Sequence, residues 1–228
     1  MKKQERSKIV LCFILATFFV SCVIVKNDSS NSVKTSASEG NDLSLGTNNT
    51  KKDLKQYVDS IWEPVIVPRI ESLSVDYTKL MAGLKADEDG TCQKYGFRQM
   101  QEGNPYNFAV KGTVKFLSID TSSMSGTVAL DFAPFDGKAE CTMSIGPIFR
   151  GTSVRDIQNT LSINDFENQV EFARFGRELN NKVKDAVLGD IDFSKYTGAE
   201  AELLGVFTYS GKDNPVEIVP VRLSISGK

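Results

Sequence analysis

Apolar residues recur at steps of three and four early in the chain, at Leu54, Tyr57, Val58, Ile61, Trp62 and Val65. That period marks one face of an α-helix. Pro64 and Pro68 interrupt it. Each lacks a backbone N–H and crowds the turn before it, so the pattern predicts a bend or an end there. A second short helix is predicted over 77–86, with Leu80, Met81 and Leu84 on one face, closed by the polar run ADEDG. Trp62 is the single tryptophan and falls on an apolar face, which points to the core.

From residue 106 the period changes to two. NFAVKGTVKFLSID puts Phe108, Val110, Val114 and Phe116 on one side. SGTVALDFA alternates Val128, Leu130 and Phe132, and AECTMSIG alternates Ala139, Cys141, Met143 and Ile145. With DTSSMSG as a turn, these read as three strands of a meander.

A longer stretch follows. Ser153 is placed to cap a short helix through Leu161. DFENQVEF fits either an extended or a helical segment. From Ala173 the helix is clear: Phe175, Leu179, Val183 and Val187 form a stripe that Gly189 stops. AEAELLGVFTYS and PVEIVPVRLSIS then flank GKDN as a hairpin, and Pro220 predicts an edge or a bulge. Three strands, a helix and two strands is the order of an OB-fold barrel. The expected fold is therefore α+β, mainly β: an OB-like five-stranded barrel preceded by a helical segment. Gly112, Gly126 and Gly205 are candidates for its tight bends.

The start of the chain has another character. MKKQERSK is basic, and Ile9 to Val20 is an apolar run of 12 residues. That is short of the roughly 20 that a membrane-spanning helix needs, and it has the flanks of a secretory signal. Phe19-Val20-Ser21-Cys22 resembles a relaxed lipobox, with phenylalanine where leucine is usual. Cys22 is thus the expected lipidation site. One acyl chain, at about 0.8 kcal/mol per buried CH₂, anchors only marginally, whereas two hold durably. Ordinary secretion with cleavage elsewhere and Cys22 in a disulfide, or an uncleaved signal-anchor, are the alternatives. Residues 27 to 50 are rich in Ser, Asn, Thr and Gly and lack aromatics, as a flexible tether does. From Cys22 it spans about 30 Å root-mean-square. The chain divides into a signal at 1–21, a lipid-anchored tether at 22–50 and one globular domain at 51–228. Within that domain, 51–89 is helical and 90–228 forms the β-rich barrel.

Composition narrows the function. The net charge is −2, and four basic residues against Glu5 give 1–21 a charge of +3, leaving −5 on the rest. No basic cluster follows the first eight residues, so a nucleic-acid partner is not expected. The chain has no histidine. Ser-His-Asp and Cys-His catalysis and His-ligated zinc are therefore excluded. No cofactor is expected, and no enzyme. Cys92 and Cys141 remain once Cys12 leaves with the signal. An oxidising compartment favours pairing them, and a loop of about 50 residues would give on the order of 4 kcal/mol. Two separate buried thiols are the other reading. Their spacing is far from C-x-x-C.

Several segments carry a resemblance. YVDSIWEPVIVPRI, KYGFRQMQEGNPYNFAVKGTV, IGPIFRGTSVRDIQNTLSINDFENQVEFARFGRELN and VEIVPVRL, together with Cys22, resemble a bacterial family of predicted periplasmic lipoproteins catalogued only as a domain of unknown function. The resemblance implies a lipid-anchored place in the cell envelope, periplasmic or outer-membrane associated. Family genes stand beside sugar ABC transporters of the ribose or xylose type, which implies an accessory part in carbohydrate uptake. It supplies no catalytic residues.

The densest polar cluster lies in FRGTSVRDIQNTLSINDFENQ. Its candidate ligand-binding residues are Arg150, Arg155, Asp156, Asn164, Asp165, Asn168 and Gln169, and the cluster also holds Asn159. Planar amides, carboxylates and guanidinium groups bond paired hydroxyls, as a small carbohydrate presents them. Tyr95, Tyr106 or Phe149 would cover a sugar face. The competing reading makes them ion pairs and helix caps. Asp87, Glu88 and Asp89 lack the alternation of an EF-hand loop, and no metal site is expected. The expected function is a lipid-anchored binding or accessory protein attached to the membrane through its N-terminal lipid, with a sugar ABC transport system or a small carbohydrate as partner. A glycan hydrolase with two carboxylates about 5 to 10 Å apart, or a structural envelope protein, are the alternatives.

Overall fold

The structure, a computed structural model, describes residues 53–99, 103–158 and 160–226. The expected signal, the lipidation of Cys22, the tether at 22–50 and Asn159 lie outside the described residues.

Helix α1 (Leu54–Ile61) starts where Asp53 accepts hydrogen bonds from the N–H groups of Lys55 and Gln56, at 3.1 and 3.2 Å. The prolines do not end it. Trp62–Ile66 widens into a π-turn that holds Pro64, and α2 (Val67–Leu73) continues with Pro68 in its first turn. A helix widened by one residue absorbs the missing N–H that an α-helix would not. A short strand β1 (Val75–Asp76) follows and was not expected. Asp76 then caps α3 (Tyr77–Ala86) through the Lys79 N–H at 2.9 Å. The ADEDG run does not close the helical part: Asp87 caps a further helix, α4 (Glu88–Tyr95), so the helical segment runs six residues past 89.

Strands β2 (Tyr106–Asp120), β3 (Thr127–Phe132) and β4 (Cys141–Ser144) form the predicted meander. Thr152, rather than Ser153, precedes the short α5 (Ser153–Asp156), which stops well before Leu161. Helix α6 (Gln169–Lys182) begins four residues before Ala173, because Asn168 Oδ1 accepts the N–H groups of Val170 and Glu171 at 2.9 and 3.0 Å. It ends through a π-turn at Gly189, whose φ of +49° suits a residue without Cβ. Strands β5 (Glu200–Tyr209) and β6 (Glu217–Ile225) complete the hairpin.

The sheet order is β1-β2-β3-β4-β6-β5, and β2 also pairs with β5. That pairing closes a five-stranded barrel with β1 added parallel to β2. Beside the expected five strands there is thus a sixth, outside the barrel. The β5–β6 register shifts between Leu204 and Gly205, opposite Pro220, so the proline sits at a bulge.

Two cores result. Phe108, Val110, Phe116, Leu130, Met143 and Phe207 fill the barrel, and Tyr77, Leu80 and Leu84 of α3 join them. On the outer wall, Ala109, Leu204, Val206, Val219 and Val221 pack under Trp62, Ile66, Phe175 and Leu179. Strands β2, β5 and β6 are therefore apolar on both faces over part of their length, which is why LLGVF shows no alternation.

Candidate functional site

The seven candidate residues do not form one constellation. Asp165 accepts the N–H of Ser162 at 2.7 Å in a capping box, with Asn164 exposed in the same turn. Asn168 caps α6, and Gln169 and Arg150 are exposed. Exposed backbone donors at each helix start need such acceptors, so local capping claims the side chains of Asp165 and Asn168. Arg155 and Asp156 are placed differently. The Arg155 guanidinium meets Asp156 Oδ1 at 2.7 Å and donates to Thr152 Oγ1 at 3.1 Å. It also lies 4.2 Å over the Phe172 ring. Asp156 accepts the Thr152 hydroxyl at 2.6 Å. Gly176 of α6 leaves the room: a Cβ there would stand 3.3 Å from Arg155 Cδ.

Beside this pair opens a polar groove of about 240 Å³, between α5 and the adjoining ends of β2 and β5. Asn107 and Thr208 form its wall, facing each other across the β2–β5 ladder, and the Thr208 hydroxyl donates to Asn107 Oδ1 at 2.7 Å. Asn107 is only 4% exposed. Gln99, Asn104 and Pro105 line the groove from the segment before β2. Asn104 Nδ2 donates to the Gln99 carbonyl at 3.0 Å. Gln99 Nε2 is buried and has no hydrogen-bond partner among the described residues. A buried donor left unpaired costs about 1–3 kcal/mol, so it marks a place where an acceptor is wanted.

Sequence reasoning missed Gln99, Asn107 and Thr208, which no local pattern sets apart from ordinary strand and loop residues. The aromatic candidates lie elsewhere. Tyr106 carries Arg98 over its ring at 4.8 Å, Tyr95 carries Lys94 at 4.9 Å, and Phe149 packs against the cores.

Other grooves lie among the described residues, and two of the larger ones differ in character. One of about 870 Å³ runs along the starts of α1 and α6, among Lys55, Glu171, Arg174 and Glu178. The other, about 360 Å³ and mostly apolar, lies between α3 and the β5–β6 turn.

Asp131, Asp136 and Glu140 bring one carboxylate oxygen each within 4.8 Å of one another. An all-oxygen set suits a hard cation. Asp131 is fully buried, yet its oxygens accept the N–H groups of Asp136 and Gly137 at 3.3 and 2.8 Å. Glu140 accepts the Phe132 N–H at 2.9 Å. These bonds tie down the loop after β3. The sequence signal was an acidic residue inside a strand followed by Asp136-Gly137, and it was passed over.

Cys92 and Cys141 are free and buried, not a disulfide. Each thiol has its own neighbours. Burial pushes the Cys141 thiol up to about 12, helped by the Glu140 charge, while its bond with Tyr77 acts the other way. Burial, then Glu88 and Asp89, raises that of Cys92.

Closure of five strands with β4 parallel to β6, and a helix between the third and fourth barrel strands, defines an OB-fold protein. A crystal structure of an OB-fold protein from Thermotoga maritima MSB8 is similar, with a TM-score of 0.63 and 21% identity over 76% of this chain and 98% of that one. At that identity the likeness speaks for the fold alone. The chain belongs to the family described as "Predicted periplasmic lipoprotein (DUF2291)", whose model matches residues 12–224. That description supports a place in the cell envelope. No curated protein matches the sequence.

Proposed function

We propose that the protein is a non-catalytic binding module, held at the envelope membrane through lipidated Cys22. It takes a small carbohydrate in the groove between β2, β5 and α5, and it serves a sugar ABC uptake system. The observation that carries this reading is the groove itself. Its amides from Gln99, Asn104 and Asn107 and the fixed Arg155–Asp156 pair are the groups that bond hydroxyls. One amide nitrogen there, Gln99 Nε2, is buried without a partner among the described residues. The absent histidine supports a role without acid–base chemistry. So does the way the Asp131 cluster spends its oxygens on its own loop.

Thermal-shift measurements test direct binding. The mature chain carrying Cys22→Ser is titrated with D-ribose, D-xylose and D-glucose. At a ligand concentration near 100 times Kd, stabilisation of about 2.7 kcal/mol is expected. For a domain of this size that raises the melting temperature by roughly 5–11 °C. Asn107→Ala should abolish the rise. No shift with any sugar removes direct binding and leaves only a partner role in uptake.

A further inference from the structure

We infer that the groove between β2, β5 and α5 selects an uncharged, oxygen-rich ligand and rejects the acidic form of the same molecule. This rests on the binding role proposed above and adds the ligand's charge. Among the described residues lining the groove, only Arg155 and Asp156 carry ionisable side chains, and they pair with each other at 2.7 Å. Asp156 is committed twice, to Arg155 and to the Thr152 hydroxyl. Arg155 is held on a further side by Phe172. The guanidinium charge is thus answered before any ligand arrives. A ligand carboxylate brought to Arg155 would meet the Asp156 carboxylate at close range, and like charges in a half-buried site repel.

What the groove offers instead is neutral donors. Gln99 Nε2 is buried and unpartnered among the described residues. The Thr208 hydroxyl occupies Asn107 Oδ1, which leaves the amide nitrogen as that side chain's remaining donor. Two N–H₂ groups without a counter-charge suit hydroxyl or carbonyl oxygens. A site built to bond such a group discriminates strongly against a ligand that leaves it unpaired.

The test is isothermal titration calorimetry on the mature Cys22→Ser chain, with D-glucose against D-glucuronate and D-galactose against D-galacturonate, whose acids keep the sugar ring. The neutral member of at least one pair is expected to bind, and its acid to bind at least about tenfold more weakly. Asp156→Asn should narrow or invert that ratio, because it unmasks the Arg155 charge. Gln99→Ala should weaken the neutral sugar by about tenfold. The same variant should keep or raise the melting temperature of the free protein, since it deletes a buried donor that has no partner among the described residues. If Asp156→Asn does not fold, the wild-type ratio and Gln99→Ala still decide. An acid bound as tightly as its neutral partner overturns the selectivity and leaves the binding role standing. A neutral sugar whose affinity Gln99→Ala leaves untouched overturns the assignment to this groove. Silence from all four compounds overturns the binding role itself, and the selectivity with it.

Discussion

Gly205 sits at the β5–β6 bulge with β6 pressed close against it, and filling it should open the barrel wall. Its lack of a side chain serves space rather than backbone freedom. A Cβ at 205 would overlap Ile218 Cγ2 and would stand 2.9 Å from the Val219 carbonyl oxygen. Ile218 is fully buried in the barrel. As a β-branched side chain it has a stiff χ1, and in a filled core turning Cγ2 aside disturbs its own packing, while the carbonyl belongs to the partner strand. Overpacking of this kind costs about 1–3 kcal/mol, and contact with backbone puts Gly205→Ala in the upper half of that range. At 2–4 °C per kcal/mol for a domain of this size, the melting temperature should fall by roughly 4–12 °C. Urea unfolding followed by the fluorescence of Trp62, the one tryptophan and a buried one, gives the same quantity at fixed temperature. Ile218→Ala alone should cost about 2–5 kcal/mol by leaving a cavity. The double variant should then be less damaged than the sum by about 0.5–3 kcal/mol, because the new methyl enters the vacated space. Strict additivity, or a Gly205→Ala variant as stable as the parent, would refute the close approach of the two strands at this bulge.

The thiols of Cys92 and Cys141 should resist N-ethylmaleimide at pH 8 in the native protein and react fully in denaturant. A native mass lower by two hydrogens would contradict free thiols. Cys141 has an ordinary value of 9.0 and a folded value of about 12, so the unfolded chain ionises first as pH rises. Its contribution to stability is whole below pH 9 and is lost between about 9 and 12. Urea midpoints across that range should fall less steeply for Cys141→Ala, and an unchanged slope would refute the assignment. Asn168→Ala should cost about 1 kcal/mol through the lost cap of α6. Asn168→Asp should restore it, and equal losses in both variants would show that the side chain acts in some other way.

The barrel was legible because three of its strands bury one face against a shared core. Val128, Leu130 and Phe132 alternate for that reason, and so do Phe108, Val110, Val114 and Phe116. Legibility failed where a residue's partner is remote in sequence. Pro64 and Pro68 read as a bend or an end because sequence carries no sign of the layer beneath. Trp62, Ile66, Val67 and Ile70 are buried around them, and that packing holds the widened turn. The polar stretch from Arg150 to Gln169 looked like one site. In the fold its members divide, since Asp165 and Asn168 answer the nearest backbone N–H groups while Arg155 and Asp156 reach a groove built from other segments.

By itself, the sequence determined the element types, the order of three strands, a helix and two strands, and the chemistry denied to a chain without histidine. Those follow from local period and from composition, which need no knowledge of distant neighbours. Tertiary structure alone decided that β2 closes on β5, that the cysteines stay apart, and that Gln99, Asn107, Arg155 and Thr208 share one groove. The closure joins strands from remote parts of the sequence, and only that closing brings Asn107 and Thr208 within hydrogen-bond reach.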